Sequence, residues 1–214
     1  MSECIEDARG YWDKRFKAGG KIWGELPSRT AQYALELFRS ANVNSILIPG
    51  SGYGRHTKFF SECGFDVTGI EISSVACNLA REFDSLSRFY NASALDMSFD
   101  INKYDAIYCF NTLHFFREND RLIFIQQCEN NLNKHGLMFF TVFSEKDSSF
   151  GEGREVERNT FESRPGRPAH YFTEDDLKAH FVKYGLVDIG IIEDPENHGG
   201  KPHTHTLRYI FVRA

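Results

Sequence analysis

The chain has 214 residues, of which 41% are hydrophobic and 26% are charged, and this composition is typical of a globular protein with one apolar core. Its 30 acidic residues outnumber its 25 basic residues, so the net charge of -5 argues against nucleic acid as a partner. No stretch approaches the roughly 20 apolar residues of a membrane span, and the first ten residues do not resemble a signal peptide, so we expect a cytoplasmic protein without a membrane partner.

Five segments with strand character are spaced so that a helix fits between them, which predicts a parallel sheet with helical crossovers. They cover residues 45–50, 66–72, 87–93, 105–110 and 137–143. Two later segments, 187–193 and 205–212, have no helix between them, so we expect an antiparallel hairpin across a loop at 194–204. The predicted fold class is α/β, a doubly wound sheet of seven strands.

Helices are predicted between these strands from their starting residues and apolar spacing. One begins at Pro27 and Ser28, one near Arg55, one spans residues 117–134, and one follows the capping box that starts at Thr173. The stretch 144–170 is polar, rich in Gly, Arg and Glu, and longer than an ordinary connection. We interpret it as either a lid or a disordered insertion.

A glycine-rich loop lies between the first strand and its helix. The segment ILIPGSGYGRH places Gly50, Ser51, Gly52 and Gly54 there, where glycine permits a tight turn and a close approach of backbone N–H groups to a ligand. Glu71 ends the second strand, 21 positions after Gly50, and its two carboxylate oxygens can accept from ribose hydroxyls. Each feature alone is also consistent with an empty turn or a solvated acid, but together they predict a nucleoside site.

The glycine pattern is not that of a dinucleotide site, because the sixth position from Gly50 is Arg55 rather than glycine. The G-x-G-x-G pattern resembles the class I S-adenosylmethionine-dependent methyltransferases. The LIPGSG wording is similar to thiopurine and halide/thiol methyltransferases and to tellurite-resistance-type relatives. The resemblance implies a Rossmann-like sheet of five parallel strands that ends in an antiparallel hairpin, and S-adenosylmethionine as the cofactor. It also implies one methyltransferase domain over 1–214, with an N-terminal cap helix at about 5–41 and a lid-like insertion at about 144–170.

The resemblance assigns cofactor contacts to residues at the ends of four strands and in the N-terminal segment. The glycine loop would lie against the methionine portion, Glu71 would hold the ribose, and Ile72 with the pair Asp96 and Met97 would recognise adenine. The loop from Asn111 would lie beneath the methionine carboxylate and the transferable methyl. The two tryptophans would stack near the sulfonium, or would only dock the N-terminal helix. The implied contacts are Trp12, Trp23, Gly50, Ser51, Gly52, Gly54, Glu71, Ile72, Asp96, Met97, Asn111, Thr112 and Leu113. One departure from the family is Ile48, where an acid is usual.

Histidines provide the candidates for acid–base chemistry. His114 lies just beyond the fourth strand and is a candidate base near the expected methyl group, or else a helix-cap or supporting residue. His198, His203 and His205 surround the predicted hairpin loop, but no carboxylate or cysteine spacing completes a metal site with them. The five cysteines form no CxxC pair. We therefore predict no metal.

The predicted function is methyl transfer from S-adenosylmethionine to a small-molecule acceptor such as a thiol or a metalloid. One alternative is a regulatory protein that binds S-adenosylmethionine without catalysis. A second is a nicotinamide-dependent oxidoreductase, which Arg55 in the glycine pattern disfavours. The sequence does not choose among acceptors or oligomeric states.

Overall fold

The computed structural model describes residues 3–164, 166–198 and 201–214. The helices are α1 (Glu3–Gly19), α2 (Arg29–Ser40), α3 (Arg55–Glu62), α4 (Ser74–Phe83), α5 (Glu118–Asn130) and α6 (Glu174–His180), with a 3-10 turn at Leu113–Phe115. The strands are β1 (Ser45–Pro49), β2 (Asp66–Glu71), β3 (Arg88–Asn91), β4 (Tyr104–Phe110), β5 (Leu132–Phe143), β6 (Arg154–Glu157), β7 (Thr160–Arg164), β8 (Arg167–His170), β9 (Gly185–His198) and β10 (Lys201–Arg213).

Seven of these strands form one sheet in the order β3-β2-β1-β4-β5-β10-β9. Strands β1 to β5 pair in parallel, and β10 pairs antiparallel with both β5 and β9. The predicted α/β sheet with an antiparallel end is confirmed. The strand order reverses between β1 and β4, and ligands of open α/β sheets bind beyond the carboxyl ends of strands at such a point.

Both faces of the sheet are covered by helices, which explains the continuous apolar runs in the sequence. In β1, Leu47 packs on one face with Ile70 and Ile107. Its neighbours Ile46 and Ile48 pack on the other face in a second buried cluster. Ile48, where the resemblance noted above would place an acid, therefore serves the core.

Two helix starts follow the sequence prediction. The Ser28 side chain accepts from the Ala31 N–H and caps α2, and Thr173 accepts from the Asp176 N–H and caps α6. The helix predicted over 117–134 ends earlier, because β5 begins at Leu132. The predicted N-terminal cap segment contains two helices, α1 and α2.

The loop predicted at 194–204 is wrong over most of its length. Strands β9 and β10 stay paired as far as His198 and Lys201, and the pairs include Pro195 with Thr204 and Asn197 with Pro202. β9 is an edge strand, and an edge strand tolerates proline because one side of its backbone needs no ladder partner.

The insertion at 144–170 contains ordered strands in the described residues. β6, β7 and β8 form a separate antiparallel sheet, which we call the small sheet. Phe161 on β7 packs against Phe150 and Tyr171, with ring centroids 5.3 Å and 6.0 Å apart. Across the described parts of the chain, no helix has the length and apolar character needed to cross a membrane.

Candidate active site

A cavity of about 780 Å³ lies where β1, β2 and β4 end, which is large enough for a small organic ligand. We call it the main cavity. Its walls come from α1, the glycine loop, the loops after β2, β3 and β4, the small sheet, and the β9–β10 pair. Of the predicted contacts, it is lined by Trp12, Trp23, Gly50, Ser51, Gly52, Glu71, Ile72, Asn111, Thr112 and His114.

The glycine loop is held against the end of β2. The N–H groups of Gly50 and Ser51 both donate to the Ile70 carbonyl, at 2.8 Å and 3.0 Å. Gly50 has a φ of +74°, and a Cβ there would lie 2.2 Å from Thr112 Oγ1, so both conformation and space require glycine. Gly54 begins α3 with a φ of +88° and faces Ala80, so it shapes the turn without lining the cavity.

Glu71 is buried at the cavity wall with its carboxylate held in place. The carboxylate accepts from the N–H groups of Gly52 and Ser73, each at 2.8 Å. The pKa of Glu71 is raised to about 7. Burial is the largest cause and the nearby Asp13 adds to it, while the backbone donors oppose the rise. Glu71 is therefore poised to gain or lose a proton near neutral pH.

Three residues that line the cavity each carry a buried polar atom with no hydrogen-bond partner within the described residues: Ser51 Oγ, Asn111 Oδ1 and His114 Nε2. Unpartnered buried polar groups are costly and rare, so this wall suits a polar ligand that satisfies them. Together with the Glu71 carboxylate and the aromatic faces of α1, these atoms fit the ribose, amino-acid and sulfonium groups of S-adenosylmethionine.

His114 is fully buried and stacks on Phe143, with ring centroids 3.9 Å apart. Its Nδ1 accepts from the Phe143 N–H at 3.4 Å, which leaves the proton of the neutral ring on Nε2. Burial, and then the charge of Arg167, hold the pKa of His114 well below its ordinary value. This arrangement favours donation from Nε2 over the predicted role as a base.

The tryptophans both line the cavity and dock α1. Trp12 stacks on Phe16 at 5.8 Å between centroids, and Trp23 stacks on Tyr53 at 6.1 Å. Phe16 also lines the cavity but is almost fully buried, so it serves mainly the packing of the helix. The two roles that the sequence left open for the tryptophans are therefore compatible.

The structure does not bring Asp96, Met97 or Leu113 to the main cavity. Asp96 is exposed and accepts from the N–H and Oγ of Ser98, at 3.2 Å and 2.6 Å. Met97 and Leu113 are fully buried in the core. The cavity is lined instead by residues 93–95, which lie closer to the end of β3. The sequence analysis missed them, although their position directly after a parallel strand was the available signal.

A carboxylate that the sequence spacing did not indicate lies beside the C-terminal histidines. Ligand atoms of Asp147, His203 and His205 all lie within 4.8 Å of one another. The Asp147 carboxylate accepts from His205 Nδ1 at 3.1 Å, from the Thr206 N–H at 2.9 Å, and from Ser149. Its oxygens are thus engaged in orienting His205, which lines the main cavity. The side chain of His198 lies outside the described residues.

Residues 47–140 match the family described as "Methyltransferase domain". This match covers less than half of the chain. A curated relative, the glycine/sarcosine N-methyltransferase of Parasynechococcus marenigrum (strain WH8102), is 28% identical over 128 residues, which cover 56% of this chain. The match spans 44% of that relative, less than half its length.

Solved structures share the fold at low sequence identity. An S-adenosylmethionine-dependent methyltransferase from Anabaena variabilis ATCC 29413 superposes with a TM-score of 0.74 at 15% identity, covering 100% of this chain and 96% of the other. The magnesium protoporphyrin IX methyltransferase of Synechocystis PCC 6803, crystallised with bound S-adenosylmethionine, gives 0.70 at 12% identity, covering 100% and 98%. The predicted Rossmann-like α/β fold is confirmed.

Proposed function

We propose that this protein transfers the methyl group of S-adenosylmethionine to a small-molecule acceptor that enters the main cavity. The observation that carries this proposal is that one cavity is lined by Glu71 with its fixed carboxylate, by the glycine loop, and by Ser51 and Asn111 with their unpartnered polar atoms. That combination of one fixed acceptor group and several unsatisfied polar atoms matches a nucleoside joined to an amino acid. The family match over 47–140 agrees with it.

Different residues would bind the different parts of the cofactor. Glu71 would accept from the ribose hydroxyls while Gly52 and Ser73 hold its carboxylate in place. Ile72 and residues 93–95 would enclose the adenine, because they line the same stretch of cavity. Ser51 and Asn111 would face the amino-acid portion. When bound, the cofactor supplies an electrophilic methyl group on a sulfonium that leaves as a neutral thioether.

The acceptor end of the main cavity is built to orient a nucleophile and keep water away. Trp12 contacts Phe115 edge-on, with centroids 5.4 Å apart, and both line the cavity. Excluding water and fixing an in-line approach are the main contributions a protein makes to such a displacement. Since His114 is placed to donate rather than to take a proton, we propose an acceptor that is already nucleophilic, such as a thiolate or a metalloid oxyanion.

The test is product analysis with a panel of acceptors. Incubation with S-adenosylmethionine and thiols, amines, carboxylates or metalloid oxyanions should yield S-adenosylhomocysteine and a methylated product with at least one class. Glu71→Ala should weaken S-adenosylhomocysteine binding about ten- to hundredfold, because a hydrogen bond to a charged group contributes roughly 1.5–3 kcal/mol. Glu62→Ala is the matched control, since Glu62 is exposed at the end of α3 and lies outside the cavity lining.

Each competing function predicts a different result. Tight binding of S-adenosylmethionine with no methylated product from any class would favour the regulatory protein. Binding of a nicotinamide dinucleotide in place of S-adenosylhomocysteine would favour the oxidoreductase.

A further inference from the structure

Three arginines at the main cavity have no acidic partner among the described residues. Arg15 lies on α1, Arg164 ends β7 and Arg167 begins β8, and all three line the cavity. Within the described residues, none of them forms a salt bridge, and Arg15 Nε is buried without any hydrogen-bond partner. Arg164 and Arg167 donate only to the Tyr11 hydroxyl, at 3.3 Å and 3.0 Å. We call these three side chains the arginine cluster.

The arginines that are buried in the described residues are, by contrast, paired. Arg55, which also lines the main cavity, donates to Glu196 at 2.8 Å. Arg208 donates to Glu145 at 2.6 Å. The cluster differs in this respect from the buried arginines, and the difference is not explained by a shortage of acids, because Glu162 lines the same cavity while its carboxylate accepts from Arg154.

Three aromatic rings surround the Arg167 guanidinium, whose charge is disfavoured by burial. Its Cζ lies 4.9 Å from the ring centroid of Phe115, 5.5 Å from Tyr11 and 5.6 Å from Trp12. Cation–π contacts of this kind stabilise a cation only modestly. Burial lowers the pKa of Arg167, and the charges of Arg15 and Arg164 lower it further against the raising effect of Tyr11. A bound anion would relieve this repulsion and replace the missing partner.

We infer that the arginine cluster binds a carboxylate of the methyl acceptor, so that the acceptor is a small aromatic carboxylate that also carries the nucleophile. This inference rests on the proposed function. Arg167 packs on Phe115, directly beyond the 111–114 loop that the proposal places near the transferable methyl. The surrounding rings suit a flat apolar body, and a guanidinium presents paired donors that match a carboxylate.

The probes for this inference are benzoate and benzamide, which have the same shape and differ in charge. Titrated by calorimetry into protein saturated with S-adenosylhomocysteine, benzoate should bind at least about tenfold more tightly, as expected for a charge-assisted hydrogen bond. Arg167→Gln should abolish the difference, and Arg167→Lys should retain part of it. Arg158→Gln is the matched control: it removes the same charge from the same insertion, but Arg158 is exposed and outside the cavity lining.

A second arm separates the acceptor from the methionine carboxylate of the cofactor, which has the same chemistry. S-adenosylhomocysteine should bind Arg167→Gln as tightly as wild type. If that affinity falls instead, the cluster serves the cofactor and the inference is wrong.

Equal binding, or no binding, of the two probes by the wild-type complex also overturns the inference while leaving methyl transfer intact. Loss of S-adenosylhomocysteine binding in the wild type is the separate failure of the proposed function. If Arg167→Gln does not fold, as judged by circular dichroism, Arg164→Gln carries the same test from the more exposed side of the cluster.

Discussion

Cofactor affinity should depend on pH through Glu71. Burial raises the pKa of this carboxyl to about 7, and an ionised carboxylate is the better acceptor for two ribose hydroxyls. Cofactor binding should therefore lower its pKa and release a proton. The ionised fraction at a pKa near 7 is about 0.09 at pH 6 and about 0.9 at pH 8, so affinity should rise about tenfold across that interval.

Calorimetry with S-adenosylhomocysteine tests this prediction at both pH values in two buffers of different protonation enthalpy. The wild type should release protons near pH 7 and bind more tightly at pH 8. Glu71→Gln should lose the proton release and bind with nearly equal affinity at both values. Glu62→Gln is the control for an exposed acid and should behave as wild type. An equal pH slope in wild type and Glu71→Gln would refute the assignment of the titration to this residue.

Three further predictions concern the glycine loop, the predicted adenine pair and the insertion. Gly50→Ala should lower the free energy of unfolding by about 1–3 kcal/mol in thermal melts, because its Cβ would meet Thr112 Oγ1 at a positive φ; an unchanged melting temperature would contradict this. Asp96→Asn should leave S-adenosylhomocysteine affinity unchanged in calorimetry, since Asp96 contacts Ser98 instead of the cavity; a tenfold loss would restore its predicted role. If the insertion is a lid, residues 151–164 should exchange amide hydrogen more slowly when S-adenosylhomocysteine and benzoate are bound, and Tyr11→Phe should reduce that protection; identical exchange in every state would exclude a lid.

The central sheet was predictable because its strands are buried on both faces. In β1, for example, residues 46–49 are all apolar and all buried, so the strand is visible in the sequence as a continuous apolar run. The distal half of β9 was not predictable, because residues 194–198 are polar and contain a proline, and only backbone pairing with β10 makes them a strand. The small sheet escaped prediction for the same reason: its short strands carry mixed charges, which in a sequence are typical of a solvated surface.

The residues proposed to bind the cofactor could be predicted from the sequence where a single local segment determines both where a side chain lies and which groups it offers. The glycine loop directly follows β1 and Glu71 is the last residue of β2, so their placement depends on few residues. Predicting the adenine contacts requires knowing which residues of the short loop after β3 face the cavity. Ser98 captures the Asp96 side chain and leaves residues 93–95 at the cavity, a choice between neighbours that spacing alone does not determine.

The residues proposed to bind the acceptor could not be predicted from the sequence, because they come from segments about 150 residues apart. Tyr11 on α1 accepts from both Arg164 and Arg167, so one hydroxyl joins the N-terminal helix to the small sheet. The same two arginines belong to the proposed carboxylate site. Opening the small sheet away from α1 would break these bonds and disperse the guanidinium groups, whereas an anion between them would favour the closed arrangement. If the insertion is a lid, acceptor binding and closure would be one event, and water would be excluded only when the acceptor is in place.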